Sequence, residues 1–262
     1  MDTNHNITCE LESEEYKQEY ARHLDILESY LRTLVFIKLD CNRSENLKEK
    51  LFCLSIVDDL LQSLVAIKSL AKEGIRNTCR RELRYIIELS IKACLISQHN
   101  STQTAEEQIS EFRDILRSTN ISMAKQIDFH YFNDIDTAYF ISEMNRFYGT
   151  LCLYVHSTPQ QMSERIELNT KGKHIGLEGT DELKELNDEI SKALYISLVL
   201  FFHAIPEWCI GDYFVERNGF TVETYYSKYR LISVIDQHFD YKFERQSILS
   251  ELQKYRDERV CY

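Results

Sequence analysis

Apolar residues return every three or four positions along most of the chain, the spacing that lays them on one face of an α-helix. From about Ser13 to Leu39 the series is Tyr20, Leu24, Leu27, Leu31 and Leu34, with Ser13 placed to cap the first turn and glutamates behind it to meet the helix dipole. A second series, Cys53, Val57, Leu60, Leu64, Ile67 and Ala71, predicts a helix from about Glu45 to Glu73, with Gly74 as its stop. The third, Lys72 to Gln98, is the stretch on which the others are organised. At about 100° per residue, Leu83, Ile87, Ile91 and Cys94 share one narrow arc, and Arg81, Arg84 and Glu88 lie together on its flank. Short connections predict antiparallel packing of these three helices.

After a loop at 99–104, a shorter helix is expected from about Ala105 to Arg117, and one or two helical turns around Met123 to Phe129. The next strong pattern begins near Asp134, a good N-cap, and buries Phe140, Met144, Phe147 and Leu151; Tyr139, Glu143, Arg146 and Thr150 form a polar stripe beside them. His156 closes it, just ahead of the stop-like Pro159. Gln160 to Thr180 alternates around Arg165 to Leu168 and His174 to Leu177, which allows a small hairpin or, equally, a loop. Thr180 then caps a long helix through Leu183, Leu186, Ile190, Leu194 and Ser197, which Pro206 kinks or ends. Two helical patterns close the chain: Val222 to Gln237, with Tyr225, Tyr229 and Ile232, and Tyr241 to Arg259, with Ile248, Leu252 and Tyr255. The expectation is all-α: a flexible segment over 1–12, then a single helical-bundle domain over 13–262 of about seven to nine helices, with a small irregular or hairpin excursion near 160–180.

Composition sharpens this picture. Only 7 glycines and 2 prolines punctuate 262 residues, which favours long helices over a many-turned β architecture. A formal net charge of -11 opposes broad affinity for nucleic acid or an anionic membrane. Eight cysteines without C-x-x-C spacing, several at apolar helical positions, suit reduced thiols and a cytoplasmic setting. The first residues lack a signal-peptide pattern, and the apolar run Ala193 to Ile205 is shorter than the ~20 residues a membrane span needs, so it reads as a buried core helix.

Phosphate-loop, dinucleotide, zinc-protease and nucleophile-elbow signatures are all missing. Cys152 and His156 stand i,i+4 but no second pair completes a metal site, so neither metal nor cofactor is expected. Positive charge gathers instead at Lys72, Arg76, Arg80, Arg81 and Arg84, around the entrance to a helix. Such a window can hold an RNA or nucleotide phosphate, arginine adding bidentate geometry to the helix end, or can be a solvated face paired with local acids. His156 can serve as an acid or base near neutrality, or simply as a cation at a helix C-terminus. The ridge Tyr225, Tyr226 and Tyr229 suits a protein-binding surface.

Gly74, Leu83-Arg84 and Glu88, followed by Tyr148, Leu151, Tyr154, Val155, His156 and Ser157, resemble an uncharacterised all-helical bacterial family similar to the HEPN superfamily, many of whose members are dimeric toxins or antiviral ribonucleases. The resemblance implies a stress or phage-defence effector, acting on RNA without a metal and working as a homodimer. It makes His156, Arg84 and Glu88 the catalytic group, with Tyr154 facing the same cleft; Arg80 and Arg81 of the basic window and Arg146 of the polar stripe join as substrate-binding residues. The chain departs from the superfamily in lacking its R-x(4-6)-H spacing, Arg146 preceding His156 by ten positions. The alternative expectation is a non-catalytic interaction or regulatory subunit of a defence or toxin-antitoxin complex.

Overall fold

The computed structural model describes residues 10–44, 51–99, 104–155, 158–173 and 179–260, and it is all-α. Helix α1 (Glu14–Cys41) opens on the expected cap, the Ser13 side chain accepting from the Tyr16 N–H. The second predicted helix is divided into α2 (Phe52–Ser55) and α3 (Val57–Lys72), its expected start at 45–50 lying outside the described residues. The Ser55 hydroxyl donates to the Phe52 carbonyl at 2.7 Å, a side-chain bond that competes with the helical ladder where the two pieces part. Gly74 stops α3 as anticipated, at φ 64°, with the Ile75 N–H reaching back to the Leu70 carbonyl at 2.8 Å.

Helix α4 (Arg76–His99) is central, and the stripe Leu83, Ile87, Ile91 and Cys94 is buried throughout. The segment after it is divided at Phe112 into α5 (Ala105–Glu111) and α6 (Arg113–Arg117), and a 3-10 turn, Ser122–Gln126, leads on. Helix α7 (Asp134–Cys152) is capped one residue earlier than expected, by Asn133, whose side-chain oxygen accepts from the Asp136 N–H at 2.9 Å.

The hairpin reading near 160–180 is overturned for its first half: Pro159–Thr170 is a helix, α8. Thr158 caps it, and Pro159, read as a stop, occupies its first turn, where a missing N–H is harmless. Residues 174–178 of that segment lie outside the described residues. Helix α9 (Thr180–Phe202) buries nearly every side chain of its second half, and no helix among the described residues is long and apolar enough to cross a membrane. Its first turn is held by Glu10, whose carboxylate accepts from the Thr180 N–H at 2.8 Å. Helices α10 (Glu207–Phe214), α11 (Arg230–Gln237) and α12 (Leu249–Arg259) follow, the last two shorter than their patterns suggested because 3-10 turns occupy Tyr225–Lys228 and Phe243–Arg245.

Helices α4 and α9 pack along one another, with α1 against α9 and α3 and α7 against α4. Where three of them meet, the Ser197 hydroxyl of α9 sits 2.7 Å from that of Tyr30 in α1 and 2.6 Å from that of Ser90 in α4, which fixes register in an otherwise apolar interior. Two of the three ridge tyrosines face inward: Tyr226 is 1% exposed and donates to the Ile26 carbonyl, while Tyr229, 9% exposed, donates to Ser191.

Candidate functional site

The flank of α4 reaches toward α7 and α8 with a row of charged groups that the fold treats in two ways. At its N-terminal end, charge is sealed inside. Arg80 is 1% exposed; its Nε and Nη2 meet Glu189 at 2.7 and 2.9 Å, its Nη1 meets Glu164 at 3.0 Å, and its guanidinium lies 4.0 Å over the Tyr154 ring. The Tyr154 hydroxyl in turn donates to Glu164, and Arg76 pairs with Glu185. A guanidinium taken out of water must find every partner in the protein, and Arg80 does so by joining α4 to α8 and α9. Its fork is occupied by carboxylates of the protein itself.

One turn further on, the cluster opens. Arg84 Nη2 lies 3.3 Å from Glu88, the i,i+4 pair expected from spacing, and its side chain keeps 22% exposure. Glu88 is immobilised by two more donors: Lys92 Nζ at 2.8 Å and the Tyr148 hydroxyl of α7 at 3.1 Å. Lys92 is held in place by the Leu116 carbonyl at 2.9 Å. The Arg84 guanidinium stands 5.2 Å over the Tyr148 ring, one helical turn before Cys152 on α7. Burial works against the Arg84 charge, but Cys152, Tyr148 and Glu88 outweigh it and raise its pKa. Burial and the Glu88 charge push the Tyr148 phenol up to about 12, so it remains a donor. Arg84 Nε is buried without a hydrogen-bond partner among the described residues.

Arg81, on the same flank, donates from Nε to the Tyr154 carbonyl at 3.0 Å, which ties the segment leading to His156 against α4. His156 itself lies outside the described residues. Arg146 is placed elsewhere. It is two residues from Tyr148, about 200° away around α7, and it pairs with Glu143, whose carboxyl Arg146 and Lys192 hold down at about 2. The structure therefore brings together Arg81, Arg84, Glu88 and Tyr154 along one flank and sends Arg146 to another face. Sequence reading passed over Lys92, although Glu88-Lys92 has the favourable i,i+4 orientation, and weighed Cys152 only as a partner of His156, although Tyr148-Cys152 has the same spacing. Among the described residues no group of three or more histidines, cysteines, aspartates or glutamates is placed to hold a metal ion.

Comparison of the chain with protein-family models, curated proteins and solved structures finds no match.

Proposed function

We propose that the chain is an RNA-acting effector of the bacterial stress or phage-defence type, with its site on the α4 flank. In this reading Arg84, oriented by Glu88, neutralises charge developing on a phosphate, and His156 serves as acid or base at a ribose 2′-hydroxyl or a leaving oxygen. The observation that carries it is the state of Arg84: held from three sides, partly open, with one buried N–H left for an acceptor. The Arg81 bond to the Tyr154 carbonyl adds that the chain leading to His156 is anchored to the same helix. Cytoplasmic residence and a homodimeric working form belong to this proposal.

The test is expression of wild type, His156→Ala and Arg84→Gln in a bacterial host, with growth and total RNA integrity as readouts and far-UV circular dichroism as the folding control. Wild type slows growth and fragments RNA, and both variants abolish the effect while keeping the helical signal. Intact RNA under wild-type expression, or fragmentation that survives His156→Ala, removes the mechanism.

A second reading, a non-catalytic interaction or regulatory subunit, is favoured by a different observation. Leu31, Val35 and Leu39 stand exposed at four-residue intervals along α1, an apolar row at the spacing a partner helix reads. Under this reading the wild-type chain leaves RNA intact.

A further inference from the structure

Away from the α4 flank, helices α7, α9 and α11 converge without closing and leave a cleft of about 380 Å³. Buried Phe140, Ile196 and Leu231 supply its apolar base, one from each helix. Tyr195 and Tyr229 line it as a pair of stacked rings, 4.2 Å between centroids and 11° between planes. Tyr139 enters from α7, 50% exposed, with the Arg230 guanidinium 5.4 Å over its ring. Charged groups complete the lining: Lys192 meets Glu143 at 2.9 Å, Arg230 meets Asp136 at 2.7 Å, and Asp188 pairs with Arg22.

Each of these features selects against some ligands. Aromatic faces beside an apolar base favour a flat ring, which gains by stacking whatever its substituents. Four charged side chains in the lining leave no continuous apolar track for an acyl chain or a hydrophobic peptide. Lys192 and Arg230 offset Glu143 and Asp188, so the lining is neutral in sum, and recognition falls to a pattern of donors and acceptors rather than to net charge. The Tyr195 hydroxyl, which makes no hydrogen bond among the described residues, adds one more such group. The volume lies within the range of small-molecule sites and admits one ring system with its sugar.

We propose that this cleft binds a nucleoside, free or as its 5′-monophosphate, one molecule per chain. The base stacks on the tyrosines, Glu143 and Asp188 accept from amino or ribose hydroxyl groups, and Arg230 and Lys192 face the 5′ end. The proposal rests on the cleft alone and stands or falls independently of the Arg84 group.

Isothermal titration of the full chain with adenosine, guanosine, cytidine, uridine and their four 5′-monophosphates tests it. At least one ligand pair binds saturably with one-to-one stoichiometry. Tyr139→Ala, at a half-exposed position the fold tolerates, weakens that binding by about tenfold, the loss of one stacking face. Arg230→Gln separates the two forms: selective weakening of the monophosphate shows that the phosphate is read, and equal affinities show that base and sugar suffice. Absence of saturable binding across the panel overturns the proposal. So does binding that survives both Tyr139→Ala and Lys192→Gln unchanged, because the ligand then sits elsewhere.

Discussion

Arg80 and Arg84 are four residues apart on one helix, and their difference lies wholly in what the neighbouring helices bring to them. Three carboxylates and an aromatic face close around Arg80, whereas Arg84 receives one carboxylate, one ring and a thiol. Their spacing predicted a shared flank and the Glu88 partner. Nothing local distinguished the buried charge from the open one, because Glu164 and Glu189 come from segments more than eighty residues downstream. The same dependence on distant neighbours sets the response to acid. His203 caps α9 among Phe129, His130, Tyr131 and Phe132, is 2% exposed, and has neither ring nitrogen hydrogen-bonded among the described residues. Burial, reinforced by the charge of His130, lowers its pKa to about 2, against ~6.5 in an unfolded chain. The folded imidazole stays neutral while the unfolded one takes a proton, so stability is complete above ~6.5 and falls as pH drops toward the folded value, by up to about 1.4 kcal/mol per pH unit from this group. His23 and His130, also lowered by burial, act in the same direction. Urea unfolding between pH 7.5 and pH 5 reads the loss directly, and His203→Phe flattens the slope; an unchanged slope would refute the assignment.

Among the elements, α8 shows how a cap decides what a short stretch becomes. The Thr158 hydroxyl accepts from the Gln161 N–H at 3.2 Å and donates to the Leu153 carbonyl at 2.8 Å, joining the end of one helical region to the start of the next. Thr158→Ala removes both bonds and costs about 1 kcal/mol. Amide exchange in the first turns of α8 accelerates by about fivefold as a result, whereas an unchanged rate would mean that Pro159 alone nucleates the helix. Long helices with uninterrupted periodicity, α1, α4, α7 and α9, were legible because the period repeats many times over. Gln160 to Thr170 was misread because four alternating residues also fit a helix, and because proline marks a beginning as readily as an end. The nucleoside cleft had no signal of its own in the sequence. Its lining comes from three separate elements, and its tyrosines follow the same spacing as ordinary core residues.

At the scale of the whole molecule, opposite ends of the chain hold each other. Arg22 reaches Tyr225 at 3.2 Å, and the C-terminal segment is locked by Asp236, which bonds Arg245 and Arg256 at 2.6 Å and Thr221 at 2.7 Å while almost wholly buried. Gly219, at φ 85°, passes so close to the Glu244 carbonyl that a β-carbon there would stand 2.2 Å from its oxygen, which packs the loop before α11 against the turn before α12. Asp236→Leu removes the more deeply buried of the two carboxylates that Arg245 and Arg256 share, leaving them Asp240 at 3.3 and 2.7 Å, and is expected to destabilise the protein by about 3 kcal/mol. Thermal unfolding then shifts as one transition, with amide protection in α1 falling alongside that of α11 and α12. Loss of protection confined to the C-terminal helices would show the two ends to be separable.

The bond from the Tyr226 hydroxyl to the Ile26 carbonyl spans 200 positions of the chain. During synthesis at ~5–20 residues per second, Ile26 is made roughly ten to forty seconds before Tyr226. Until then the part of α1 that Tyr226 covers waits for its cover, and slow translation lengthens the wait.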